Sequence, residues 1–161
     1  ARIVETAHAA GVSVEGEVGF VGYAEGAPSA NTLPEEAARF NNESGATALA
    51  ISVGNVHLKT EKTSGIDFGA LKAIEEVTTL PLVLHGGSGI PVNIRKRLAR
   101  ESSVSKFNIG TELRMAFGNA LRKSLTENRD SFDRIRLLSP TVDAVKSVTI
   151  EVISALNGKP E

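Results

Sequence analysis

The sequence predicts an α/β protein with a parallel sheet, and three observations carry that expectation. Short apolar runs of strand type alternate with stretches of helical period four times along the chain. Each run is separated from the next by enough residues for a crossover helix, which parallel pairing requires. Glycine, hydroxyl and histidine clusters fall at the carboxyl ends of those runs, the end of such a sheet that carries chemistry.

Residues 1–10 (ARIVETAHAA) place Ile3, Val4 and Ala7 on one helical face, and Gly11 closes that helix. The helix lacks an N-cap, so chain upstream of Ala1 is expected; His8 is expected to be exposed. The first strand, Val12 to Val18, puts Val12, Val14, Gly16 and Val18 on one face and Ser13, Glu15 and Glu17 on the other. On a strand buried on both sides, two carboxylates require partners, a metal or a catalytic role. The glycine-spaced loop from Gly19 to Pro28 is long for a βα connection, as lids are, and residues 19–31 are expected to be loosely held without ligand.

Pro34-Glu35-Glu36 opens the second helix with acidic residues where the dipole favours them, and Gly45 ends it. Ala48 to Val53 is the second strand, followed by Gly54-Asn55-Val56-His57. A polar loop from Lys59 to Gly65 leads to Asp67, the expected N-cap of a helix through Leu71, Ile74 and Val77. The third strand, Leu80 to Leu84, runs into His85-Gly86-Gly87-Ser88-Gly89, and Pro91 starts a helix reaching about Arg100. Val104 to Ile109 is the fourth strand, after which Gly110 and Thr111 open a long helix through Met115, Leu121 and Leu125. The last helix is expected from about Pro140 to Leu156, with Asn157-Gly158 as its cap.

Composition narrows the function. A net charge of -1, 4% aromatic residues and no basic run argue against nucleic acid. The absence of cysteine excludes disulfides and thiolate metal sites. The apolar runs are far too short to span a bilayer, and the first residues lack the apolar core of a signal peptide. A cytoplasmic protein acting on a small molecule, with no membrane partner, is the expectation.

The site is read from the strand ends. His57 and His85 end consecutive strands, so both rings can reach one mouth, and two neutral imidazoles suit zinc. A catalytic zinc takes three protein ligands. His8 is poorly placed for the third, which leaves Glu17 or Glu15. The glycine-rich turn ahead of a helix suits an anion such as phosphate. Taken alone, that turn also fits a βα connection beside a structural histidine.

The segments VEGEVG, VGYAEG, LPEEAARF, AISVGNVH, LPLVLHGGSGIP and KFNIGTELRMAF resemble, in order over nearly the whole chain, the class II metal-dependent fructose-bisphosphate aldolases, a group that includes tagatose-bisphosphate and related ketose-bisphosphate enzymes. The resemblance implies a (β/α)8 TIM barrel of which residues 1–161 supply a single C-terminal segment, strands five to eight. It matches His57 and His85 to two of three zinc-holding histidines and Glu17 to a carboxylate near the metal. Glu25 matches the glutamate that moves the substrate proton. Gly86, Ser88, Gly110 and Thr111 match the phosphate cradle of dihydroxyacetone phosphate, and Asn108 matches an asparagine on the same triose. The resemblance further implies Zn2+, with a monovalent cation as an additional cofactor, and reversible aldol cleavage of a ketose bisphosphate with zinc as Lewis acid and no lysine Schiff base. It implies a phosphorylated ketose or triose as ligand, and a homo-oligomer or pairing with an N-terminal half as assembly.

Departures from the family pattern bear on this. Leu58 follows His57 where most members carry glycine, and Val142 stands near where many carry an arginine for the distal phosphate, which leaves other phosphorylated ketoses or keto-acids open. The family's first metal histidine and a nearby aspartate belong to strand three, which has no counterpart in this sequence. A complete barrel typically needs about 250 residues. Two functions therefore compete: half of an aldolase, or a non-catalytic half-barrel that self-associates and at most binds phosphate and metal.

Overall fold

The computed structural model describes residues 2–63 and 65–157. They divide into two compact units, one ending at Asn108 and one beginning at Ile109. The first unit runs α1 (Arg2–Ala9), β1 (Glu15–Val18), α2 (Pro34–Glu43), β2 (Ala48–Ile51), α3 (Phe68–Glu75), β3 (Leu82–Leu84), a short 3-10 turn (Gly87–Gly89), α4 (Val92–Glu101) and β4 (Val104–Phe107). The four strands form one sheet in the order β1-β2-β3-β4, every pair parallel. This is the architecture of part of a TIM-barrel-like α/β fold, with half the strands such a barrel holds.

Register and pleat sort the side chains into two faces. The row Val18, Ile51, Leu84 and Phe107 lies on one face, as does the row Gly16, Leu49, Leu82 and Val104. Leu49, Ile51, Leu82, Leu84 and Val104 from this face pack with Ala37 of α2, Leu71 and Ile74 of α3, and Leu98 of α4 into one buried cluster. The row between them, Glu17, Ala50, Val83 and Lys106, belongs to the other face. There Ala50 and Val83 are buried, whereas Glu15, Glu17 and Lys106 are exposed. The expectation that the β1 carboxylates sit in a doubly buried strand is corrected: β1 keeps its alternation, but its polar side is open.

The capping signals work as expected at α3, where the Asp67 carboxylate accepts from the Ala70 amide at 2.9 Å. Pro91 stands immediately before α4, and Gly11 and Gly45 take positive φ beyond α1 and α2. His8, in the last turn of α1, is exposed, as expected.

The second unit is a helical hairpin of α5 (Thr111–Glu127) and α6 (Arg134–Leu156), packed on each other. Here the expected helix start is corrected. Helix α6 begins well before Pro140, because the Asp133 carboxylate caps it by accepting from the amides of Ile135 at 2.9 Å and Arg136 at 3.4 Å. Pro140 lies inside the helix, and the adjacent Thr141 hydroxyl donates to Leu138 O at 2.7 Å. Gly158, expected as part of the cap, falls outside the described residues. Among the described residues no helix is long and apolar enough to cross a membrane.

Candidate functional site

The ends of β2 and β3 are joined by Asn55, to which the sequence pattern gives no role. It is fully buried, and its side chain makes three hydrogen bonds. Its Oδ1 accepts from the Val53 amide at 2.8 Å, and its Nδ2 donates to Ile51 O at 3.2 Å and to His85 O at 3.1 Å. A buried amide with all these groups satisfied fixes its surroundings. It holds the backbone of His85 against the segment that carries His57. The signal was available: an asparagine two residues before a strand-end histidine, in a stretch too apolar to leave an amide exposed.

Gly86 completes that junction. Its φ of +64° is left-handed, and a Cβ there would stand 2.4 Å from Val56 O. Only glycine lets the turn after β3 approach the His57 segment so closely.

The two imidazoles are thereby brought to 5.8 Å between ring centroids, edge to face. On the other side of His57 the Tyr23 ring stacks at 5.1 Å. Burial lowers the His57 pKa below its ordinary value, a proton on His85 would lower it further, and the carboxylate of Glu17 opposes both. The shift favours the neutral ring, the form that can donate a lone pair. His85 Nε2 meets Glu15 Oε1 at 2.9 Å, and Lys106 Nζ donates to Glu15 Oε2 at 2.7 Å. Burial alone would raise the Glu15 pKa, but the hydrogen bonds from Lys106 and His85 outweigh it and hold the carboxyl below its ordinary range.

The glycine turn after His85 forms as a 3-10 turn with Ser88 buried. Two of its amides are taken up by protein carbonyls rather than left for an anion. Gly87 N–H donates to Asn108 O at 3.0 Å, and Gly89 N–H donates to Gly86 O at 3.1 Å. Asn108 N–H in turn donates to Leu84 O at 2.9 Å, so Asn108 is fastened to the end of β3. Gly110 and Thr111 belong to the second unit, where Thr111 is the first residue of α5.

The loop after β1 is tied to its neighbours by hydrogen bonds, while Tyr23 and Glu25 stay exposed. Phe20 and Ala30 exchange backbone hydrogen bonds of 2.9 and 2.8 Å, and Gly22 N–H donates to Ser29 Oγ at 3.0 Å. The His57 amide donates to Gly22 O at 2.7 Å, and Ala24 N–H donates to His57 O at 3.0 Å. Its small residues allow this close pairing, which lays the loop along the His57 segment. Glu25 is at its exposed tip.

Comparison with known proteins places this geometry. The model of the family "Fructose-bisphosphate aldolase class-II" matches residues 1–160. The chain belongs to that family. It is 36% identical over 153 residues to the fructose-bisphosphate aldolase of Geobacillus stearothermophilus, covering 92% of this chain and 53% of the relative. Among solved structures it resembles the YdjI aldolase of Escherichia coli K12, with 29% identity, a TM-score of 0.72, and coverage of 96% of this chain and 52% of the other. The fructose-bisphosphate aldolase of Campylobacter jejuni shares the fold at a TM-score of 0.70 and 22% identity, over 97% and 55% of the two chains. The chain thus spans about half the length of the relatives it matches.

As a class II aldolase family member, the chain invites a test of its donors against a divalent metal. His57 and His85 fit two ligands of such an ion: neighbouring rings on adjacent strand ends, one of them shifted toward its neutral form. Among the described residues, no group of three or more histidine, aspartate or glutamate side chains could hold a metal. Glu17, expected as a third donor, acts on His57 through its charge but is not gathered with both rings into such a group. Leu58, at the position where the resemblance implies a glycine, has a φ of +56°, the left-handed region that favours glycine. Val142 is exposed on α6.

Proposed function

We propose that residues 1–161 form the strand five to eight side of a class II aldolase site, which alone binds metal and phosphate but does not cleave substrate. The observation that carries this is the His57–His85 pair, two imidazoles 5.8 Å apart beside a glycine-rich turn, with no third donor gathered among the described residues. His57 and His85 would hold Zn2+, with the Glu17 carboxylate nearby. When bound, the ion would supply Lewis-acid polarisation of substrate oxygens.

The chain's own residues would do the rest. Gly86 and Ser88 are proposed to hold the phosphate and Asn108 to orient the triose; Gly110 and Thr111 are assigned to the phosphate on the resemblance. Glu25, on the exposed loop tip, is proposed to carry the substrate proton. Assembly would be with a second copy or with a polypeptide supplying the other strands, since a half-sheet leaves strand edges unpaired. The proposed setting is cytoplasmic carbohydrate metabolism, in keeping with a phosphorylated ketose or triose as ligand.

A second reading rests on the family match. Within a complete barrel these residues would take part in aldol cleavage of a ketose bisphosphate such as fructose 1,6-bisphosphate to dihydroxyacetone phosphate and an aldehyde. A coupled cleavage assay with added zinc separates the two readings, run on the purified chain with and without a polypeptide bearing the first four strands of the relative. We expect no turnover alone and turnover in the mixture. Turnover by the chain alone, abolished by His85→Ala, would contradict the non-catalytic reading.

A further inference from the structure

We propose that Glu15 is a positioning residue: it fixes the His85 ring with its proton on Nε2, so that Nδ1 is the nitrogen His85 offers to a metal. The ring orientation stands on the contacts alone; the metal clause rests on the function proposed above.

The sequence suggests no such role, since the resemblance assigns a metal-side carboxylate to Glu17 and nothing to Glu15. The contacts point the other way. Glu15 Oε2 accepts from Lys106 Nζ at 2.7 Å and Glu15 Oε1 lies 2.9 Å from His85 Nε2. An ammonium this close keeps the carboxylate ionised, and an ionised carboxylate has acceptors only. The hydrogen between Glu15 and His85 must therefore sit on Nε2. In a neutral imidazole that leaves the lone pair on Nδ1.

The three groups come from different strands. Glu15 opens β1, His85 directly follows β3, and Lys106 lies within β4. In a flat sheet, β1 and β4 would stand about 14 Å apart, three strand spacings of about 4.8 Å. Their side chains meet here, so the Glu15 carboxylate links β1 to the end of β3 and to β4. A carboxylate carried on a strand rather than on a loop is a rigid support for a ring. Carboxylates that take the second N–H of a ligating histidine orient the ring and raise its basicity, and their loss typically costs about 10–100-fold in metal affinity.

The test uses the full 161-residue chain, uniformly 15N-labelled and metal-free, with long-range 1H–15N correlations across the rings of its three histidines. The His85 resonances, assigned with His57→Gln and His8→Gln, should show a protonated Nε2 and a lone-pair Nδ1. Glu15→Gln should mix the tautomers, because an amide can present either its oxygen or its NH2 to the ring. Lys106→Met, which keeps the carboxylate, should retain the Nε2–H form. Zinc chloride added to the wild type should shift Nδ1 of His85, and Glu15→Gln should bind zinc about 10–100-fold more weakly. A proton on Nδ1 in the wild type, or a tautomer unchanged in Glu15→Gln, would overturn the proposal. The expected tautomers with no zinc binding would leave the ring-orienting role standing and refute the metal-binding reading instead.

Discussion

The two faces of the four-stranded sheet are made by the same fifteen strand residues and do opposite work. On the helix-covered face, Leu49, Ile51, Leu82 and Leu84 are fully buried, and any apolar residue of suitable volume would serve. On the opposite face, Glu15, Lys106 and His85 hold one another by directional contacts, and none of the three is buried. The comparison teaches where stability and chemistry are separable. A substitution on the first face should unfold the unit without a specific effect on ligands; one on the second should alter binding while the fold persists.

The largest effect should come from the covered face. Leu84→Ala removes a fully buried side chain from the centre of the core and is expected to cost about 2–5 kcal/mol in urea unfolding. A loss below 1 kcal/mol, on the order of a surface change, would break the distinction between the faces.

Asn55→Ala tests the junction between the ends of β2 and β3. It strands the Val53 amide and the carbonyls of Ile51 and His85, and should cost about 1–3 kcal/mol while also weakening zinc binding, because His85 loses its backbone anchor. Gly86→Ala should act similarly: a left-handed φ and a Cβ against Val56 O make the substitution strained, by about 1–3 kcal/mol.

Acid should act mainly on the open face. The folded-state pKa of His57 lies below its ordinary 6.5, so as pH falls through 6.5 the unfolded chain takes up a proton that folded His57 resists. Stability should therefore decline as pH drops from neutral, and His57→Gln should flatten that decline. Glu15 acts lower: the stability it adds is present above its ordinary 4.5 and is lost as pH falls through its depressed folded value. A pH–stability curve of His57→Gln superimposable on that of the wild type would contradict this assignment.

The smallest effect is at Leu58. Glycine relieves the positive φ but frees the unfolded chain, so Leu58→Gly should raise stability by no more than about 1 kcal/mol in the same urea titration. A clear loss would mean that the half-exposed leucine side chain matters more than its backbone.

Much of this was legible in the sequence because period and punctuation agree. Alternation in β1, the continuous apolar runs of β2 and β3, and the Asp67 cap all read directly as the elements the structure contains. The strand-end histidines were legible for the same reason. Helix α6 was misread because Pro140 is a good first-turn residue, and the true cap, Asp133, sits in a stretch of mixed charge where no apolar period announces a helix. Glu15 and Lys106 were not readable as partners, since 91 positions separate them and only the strand order of the folded sheet brings them within reach. The buried role of Asn55 was legible only from its apolar neighbours, since a single asparagine near a turn usually means the turn.

The metal ligands proposed for the open face, His57 and His85, should contribute little to the fold. Competitive zinc titration of the wild-type chain, His57→Ala and His85→Ala, each paired with its urea midpoint, checks both halves of that proposal. One zinc ion per chain is expected, bound more weakly than at a three-ligand site, and lost in both variants with midpoints close to that of the wild type. Zinc binding that survives either substitution would contradict it.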